Sequence, residues 1–123
     1  MLNYRALHQA LNALPEGKRR LAHSKPWDND LGCGCFWGTL LPCDEYPTPG
    51  LSFGVLTYAR NKANTLQVVY GADTFSEVSR LEAANDRFDG TPEERFEYMR
   101  RVLAKKWVES LQAPWLVNDW ENK

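Results

Sequence analysis

Residues 74–111 read "TFSEVSRLEAANDRFDGTPEERFEYMRRVLAKKWVESL" and contain two helix-start signals in close succession. "TFSE" at 74–77 and "TPEE" at 91–94 are both capping boxes. In such a box the threonine side chain accepts from the third helical N–H, and the glutamate reaches back to the cap. Pro92 stands at the first helical position, where proline is favoured. This stretch therefore predicts two consecutive helices joined by a short turn.

Apolar residues at helical spacing indicate which face of each predicted helix is buried. They are Phe75, Val78, Leu81 and Phe88 on the first helix, and Phe96, Met99, Leu103, Trp107 and Leu111 on the second, over 92–111. Gly90 is expected to close the first helix in the left-handed conformation. On the second helix acidic residues precede basic ones, an order that matches the helix dipole. The two helices are predicted to form the stable body of the fold.

The N-terminal segment predicts a further helix. Its apolar face consists of Leu7, Ala10, Leu11 and Leu14. Asn3 can cap its free backbone N–H groups, and Pro15 follows its end. Residues 18–50 are rich in proline and are expected to be mostly irregular, with one short helix at 35–41.

Two strand-like runs follow this irregular region. "LSFGVLTY" at 51–58 alternates apolar with smaller or polar residues, and "TLQVVY" at 65–70 is rich in β-branched and aromatic residues. The polar connector between them suits a hairpin loop. A helix over 51–60 is the alternative, because short apolar runs are ambiguous. The expected fold class is α+β, with three or four helices packed against a short antiparallel β-hairpin.

Composition restricts the class of protein. A chain of 123 residues with 43% hydrophobic and 25% charged residues is expected to form one globular domain over 1–123. Its net charge of −1 does not favour nucleic acid or an anionic membrane as partner. No apolar run approaches the ~20 residues of a membrane span, and the first residues lack a signal-peptide pattern. We expect a cytoplasmic location in a bacterial host, no membrane partner and no disulfide.

The stretch "GCGCFWG" at 32–38 allows three interpretations, of which the first is a zinc site. Its candidate ligands are His23, Cys33, Cys35 and Cys43. Zinc-binding cysteine pairs are usually separated by two to four residues, which lets a turn aim both sulfurs at the metal. Only one residue separates Cys33 from Cys35, so we expect that no metal or other cofactor is needed.

The second interpretation is a catalytic thiol, and the third is a packed cysteine. Cys35 could act as the nucleophile of a small hydrolase with His8 as its base, because a thiolate needs a nearby group to take its proton. Both histidines precede the cysteine, whereas papain-like enzymes place theirs far downstream. Free cysteine is most often a small buried hydrophobe. We therefore favour a structural role for Cys35 and Cys43.

Two segments, "CFWGTLL" at 35–41 and "LEAANDRFDGTPEERFEYM" at 81–99, carry a family resemblance. Together they resemble a group of small uncharacterised proteins of tailed phages and actinobacteria. The matching positions are Cys35, Gly38, Leu40, Asn85, Asp86, Thr91, Glu93 and Glu94. Cys33 and the insertion at 42–73 depart from the pattern. The resemblance implies a phage or mobile-element setting and no particular activity.

The function expected from these observations is binding rather than catalysis. Five tryptophans and five tyrosines exceed what the core of a small domain needs, and interfaces favour such residues. We predict an accessory protein that inhibits or sequesters a host protein or complex, for example a CRISPR defence complex; a homodimer is also compatible. The predicted binding residues are Trp27, Trp37, Asn85, Asp86, Trp115 and Trp120, the last two on a tail that folds back. The alternatives are the hydrolase and a protein in which Trp27 or Trp37 stacks on a nucleotide-like ligand.

Overall fold

The fold is built from α-helices. A computed structural model describes residues 1–47, 53, 65–72 and 74–113. Its helices are α1 (Tyr4–Asn12), α2 (Phe36–Leu40), α3 (Thr65–Val68), α4 (Phe75–Arg87) and α5 (Pro92–Gln112). Single 3-10 turns occur at Glu16–Lys18 and Cys43–Glu45.

The first helix, α1, packs along the last described helix, α5. Asn3 caps α1 as predicted, because its Oδ1 accepts from the N–H of Ala6 at 3.0 Å. The two helices are also joined at their edge, where an Arg100 guanidinium N–H donates to Asn12 Oδ1 at 3.2 Å. Helix α4 packs against both α2 and α5, so the core lies between these four helices. That core includes Leu7, Leu11, Phe36, Trp37, Val78, Leu81, Phe96, Met99 and Leu103.

The capping box predicted for α5 is confirmed in full. Thr91 Oγ1 accepts from the N–H of Glu94 at 3.1 Å, and the Glu94 carboxylate accepts from the N–H of Thr91 at 2.8 Å. Only one of the two hydrogen bonds of the capping box predicted for α4 is present. Thr74 accepts from the N–H of Glu77, but the buried Glu77 carboxylate accepts from the N–H of Leu2 at 2.7 Å instead. Glu77 thereby ties the start of α4 to the N-terminal segment.

The α+β prediction is wrong. The described part of the chain is mostly helical and contains no strand, only an isolated bridge between Asp28 and Cys33. "TLQVVY" at 65–70, predicted as a hairpin strand, contains α3 instead. Of the first strand-like run only Phe53 is described, and it is helical and buried; the other residues of 51–60 lie outside the described residues.

Tertiary contacts explain why this β-rich sequence is helical. The Glu45 carboxylate accepts from the backbone N–H and the hydroxyl of Thr65, which caps the start of α3. Leu66 and Tyr70, four residues apart, are both buried, whereas Val68 is exposed. The core thus selects the helical spacing, and this selection overrides the preference of β-branched residues for strands.

Three details of the predicted helix faces are also wrong. Phe75 is 39% exposed and Leu111 is 71% exposed, so neither belongs to the core. Gly90 is not left-handed: among the described residues positive φ angles occur only at Ser24, Gly32 and Gly71. Helix α4 ends with Phe88 in an extended conformation, and its last carbonyls are satisfied by a side chain from α5.

No helix within the described ranges is both long enough and apolar enough to cross a membrane.

Candidate functional site

The glycine-rich stretch at 32–38 is a site of close backbone packing. A Cβ atom on Gly34 would lie 2.1 Å from the carbonyl oxygen of Pro26, and one on Gly38 would lie 1.8 Å from it. The N–H of Cys35 donates to the carbonyl of Lys25 at 2.8 Å across the same contact. Glycine is therefore required at both positions, because any side chain would collide with backbone atoms.

The Cys35 thiol has the properties of a packed residue. Burial is the main reason that its pKa is raised to about 12, and the nearby carboxylates of Glu82 and Asp86 act in the same direction. A reactive cysteine needs the opposite, a pKa lowered by positive charge and partial exposure. His8, the proposed base, lies on α1, where its ring packs 5.8 Å from the ring of Trp107. The charged groups that act on Cys35 are acidic, and this environment does not support a cysteine hydrolase.

The four candidate zinc ligands are not assembled into a site. Cys33 and Cys35 are buried, whereas Cys43 and His23 are exposed. Among the residues described, no three His, Cys, Asp or Glu side chains lie close enough to hold a metal ion. The exposure of Cys43 also corrects its predicted role as a buried hydrophobe, because it lies on a surface 3-10 turn.

Asn85 and Asp86, at the end of α4, hold the segment that precedes the glycine-rich stretch. The Asn85 side-chain N–H donates to the carbonyl of Ala22 at 3.1 Å. Asp86 Oδ1 accepts from the N–H of Ser24 at 2.9 Å and from Asn85 Nδ2 at 2.9 Å. Ser24 has a φ of 60°, which is costly for a residue other than glycine and is stabilised here by Asp86. Both residues, predicted to bind a partner, make hydrogen bonds within the fold, while the buried Asn85 Oδ1 has no hydrogen-bond partner among the described residues.

Arg95 completes this support from α5. Its guanidinium donates to the carbonyls of Asn85 at 3.0 Å, Phe88 at 2.9 Å and Leu21 at 3.2 Å. It therefore serves as a cap for the carbonyl end of α4, where positive charge is favourable. Sequence reasoning did not identify this residue. A signal was present, because a cation in the first turns of a helix opposes the helix dipole.

The segment 27–33, which we call the Trp27 turn, has a fixed backbone. The N–H of Asp28 donates to the carbonyl of Cys33 at 2.9 Å, and the N–H of Gly32 donates to the carbonyl of Asp28 at 2.8 Å. Gly32 has a φ of 70°, the left-handed conformation that glycine adopts without strain. The Asp28 carboxylate also accepts from two N–H groups inside the turn, at 2.9 and 3.2 Å.

Arg20 braces the Trp27 turn from outside. One guanidinium N–H donates to the carbonyl of Leu31 at 2.7 Å, and Nε donates to the Glu93 carboxylate at 3.0 Å. Trp27 itself is 46% exposed, so a large part of its apolar ring lies on the surface of a turn whose backbone is held by hydrogen bonds. The bracing role of Arg20 depends on contacts with residues that are distant in the sequence, so no local pattern marks it.

The other predicted tryptophans do not join Trp27. Trp37 is fully buried, and its indole N–H donates to the carbonyl of Val78 at 3.0 Å, so it belongs to the core and cannot stack on a nucleotide. Trp115 and Trp120 lie outside the described residues.

Comparisons with protein-family models, curated proteins and solved structures found no match to this chain. The Trp27 turn and its supports are therefore the features from which we infer a function.

Proposed function

We propose that this protein is a non-catalytic, phage-type accessory protein that binds a host component and inhibits or sequesters it. A bacterial defence complex such as CRISPR is the example we favour. The observation that carries the proposal is the half-exposed Trp27 on a turn with a fixed backbone. Tryptophan is strongly enriched among the residues that dominate binding energy at interfaces.

The supports of the Trp27 turn lower the cost of binding. A partner that must order a loop loses affinity to conformational entropy, and each immobilised side chain adds about 0.5–1.5 kcal/mol. Here Asp28 and Arg20 have already fixed the backbone that presents the indole. Most of the binding energy of Trp27 would then appear as affinity.

Four of the eight positions that carry the resemblance lie at the Trp27 turn or at the contacts that hold the segment before it. Asn85 and Asp86 anchor the segment before the Trp27 turn, Gly38 allows its close packing, and Glu93 pairs with Arg20. The residues that carry the resemblance therefore include some that support the proposed binding surface, and the phage setting rests on that resemblance.

A plaque assay tests the proposal directly. The protein is expressed in bacteria with an active CRISPR system, which are then challenged with a targeted phage. We expect the wild-type protein to raise the number of plaques and Trp27→Ala to abolish the increase. Leu111→Ala, which also removes an exposed apolar side chain, is the matched control and should keep it.

Affinity capture from the same cells identifies the partner. The wild-type protein and the Leu111→Ala variant should retain a CRISPR subunit that Trp27→Ala loses, while all three keep the same circular dichroism spectrum. Equal recovery by all three would show that the Trp27 turn is not the interface. No increase in plaques and no captured subunit would remove the inhibitor hypothesis.

A further inference from the structure

Helix α4 carries a groove on its outer face that the Trp27 turn does not use. It is an open cavity of about 490 Å³, lined by Phe75, Ser76, Ser79, Arg80, Ala83 and Arg87. The lining contains two cations, two hydroxyls, one aromatic ring and no acidic side chain. Its chemistry is therefore positive and hydrogen-bond donating, in a protein whose net charge is −1.

The two arginines of this groove contrast with others on the surface. Arg20 and Arg100 each form a salt bridge with a carboxylate. Arg80 and Arg87 are exposed, and within the described part of the chain neither has a carboxylate within salt-bridge distance. Their contacts are weak ones inside α4, to Ser76 Oγ at 3.5 Å and to the carbonyl of Ala83 at 3.4 Å.

The spacing of these groups defines a complementary ligand. Arg80 and Arg87 are seven residues apart, which places them roughly 10 Å apart along the helix axis. Ser76 and Ser79 add hydroxyl donors beside Arg80, and Phe75 offers a partly exposed ring at the start of the helix. Two carboxylates about two helical turns apart, next to an apolar side chain, would match this arrangement.

We propose that the α4 groove docks an acidic segment of a partner protein, with carboxylates on Arg80 and Arg87 and an apolar side chain against Phe75. Nucleic acid fits less well. Its affinity depends on the number of phosphates that are neutralised, and the groove supplies two cations on a protein with net negative charge. The proposal concerns a second surface and does not depend on the role of Trp27.

Binding of synthetic probes to the full chain tests the groove. The probe is a fluorescein-labelled helical peptide of Glu, Ala and Leu, compared with the same peptide carrying Gln for Glu and with labelled oligothymidylate. Anisotropy gives the affinities, and amide chemical shifts locate the contact. The test variant is Arg80→Glu/Arg87→Glu, and the control is Arg101→Glu, which reverses the charge of one exposed arginine on α5.

We expect the Glu peptide to bind, the Gln peptide to bind weakly, and shifts to concentrate at residues 75–87. The double variant should lose at least about tenfold in affinity and Arg101→Glu less than about threefold, with both variants folded by circular dichroism. Should the double variant unfold, Arg80→Gln/Arg87→Gln replaces it with the same expectation.

Three results would overturn the proposal. The double variant changes the net charge by four and Arg101→Glu by two, so a loss in the double variant no larger than the square of the loss in Arg101→Glu would mean that the peptide senses only net charge. Tighter binding of oligothymidylate would assign the groove to nucleic acid. Concentration-dependent self-association in sedimentation, lost in the double variant, would assign it to a second copy of this chain.

Discussion

Replacing Arg95 by methionine should destabilise the protein strongly, because one side chain connects three parts of the fold. Its guanidinium donates to the carbonyls of Leu21, Asn85 and Phe88. Methionine has a similar length and flexibility but no donor. The variant therefore leaves these carbonyls without their partner and creates little empty space.

The magnitude follows from the burial of the bonds. The hydrogen bonds to Asn85 and Leu21 are buried, whereas the one to Phe88 is partly accessible to water. A hydrogen bond to a charged group contributes about 1.5–3 kcal/mol. The two buried bonds therefore predict a loss of about 3–6 kcal/mol in the free energy of unfolding. This is a large share of the stability of a domain of this size.

Urea unfolding followed by far-UV circular dichroism measures the loss. Arg101→Met, an exposed position on the same helix, is the control and should change stability by less than about 0.5 kcal/mol. Arg95→Lys keeps the charge but cannot span three carbonyls. Its loss in the free energy of unfolding should therefore lie between the losses of Arg101→Met and Arg95→Met. A loss below about 1 kcal/mol for Arg95→Met would refute the reasoning, because it would mean that water satisfies these carbonyls.

Three further predictions concern the glycine-rich stretch. Gly38→Ala should cost about 1–3 kcal/mol or more in thermal or urea unfolding, because its methyl group would collide with the Pro26 carbonyl; Gly17→Ala, with nothing within 4 Å, should be close to neutral. Iodoacetamide at neutral pH should label the exposed Cys43 quickly and Cys35 only after denaturation; rapid, selective labelling of Cys35 would revive the hydrolase. The pKa of Cys35 is raised from 9.0 to about 12, so its contribution to stability is present below about pH 9 and is lost as pH rises towards 12. Between pH 8 and pH 10 the free energy of unfolding of Cys35→Ala should therefore fall less than that of the wild type. Identical slopes of this free energy against pH would contradict the raised pKa of Cys35.

Helices with local start signals were predictable from sequence. The capping box at 91–94 and Pro92 identify the start of α5 without knowledge of the rest of the chain, and Asn3 does the same for α1. The prediction of a strand at 65–70 was wrong because a distant residue, rather than a local signal, starts the helix there. Its β-branched residues suggest a strand, but the carboxylate that caps α3 belongs to Glu45, a contact that no local pattern contains.

Most features of the candidate site likewise depend on contacts between distant residues and could not be predicted from the sequence. A glycine such as Gly38 is compatible with close packing, but the sequence does not indicate that the backbone at Pro26 is its neighbour. That Trp27 is exposed while Trp37 is buried depends on which way each chain segment turns, and composition cannot separate two tryptophans. The supporting roles of Arg20 and Arg95 involve carbonyls, which every residue has, so no sequence pattern marks the acceptor.

The pairing of the first helix with α5 has a consequence for synthesis on the ribosome. Asn12 and Arg100, which join the two helices, are 88 residues apart in sequence. At about 5–20 residues per second, roughly 4–18 seconds separate the synthesis of the two residues. During that interval the apolar face of Leu7 and Leu11 has no partner helix. The nascent chain is thus a substrate for chaperones and proteases until translation has passed α5, and a premature stop before residue 92 should yield a product that is degraded rather than a smaller folded domain.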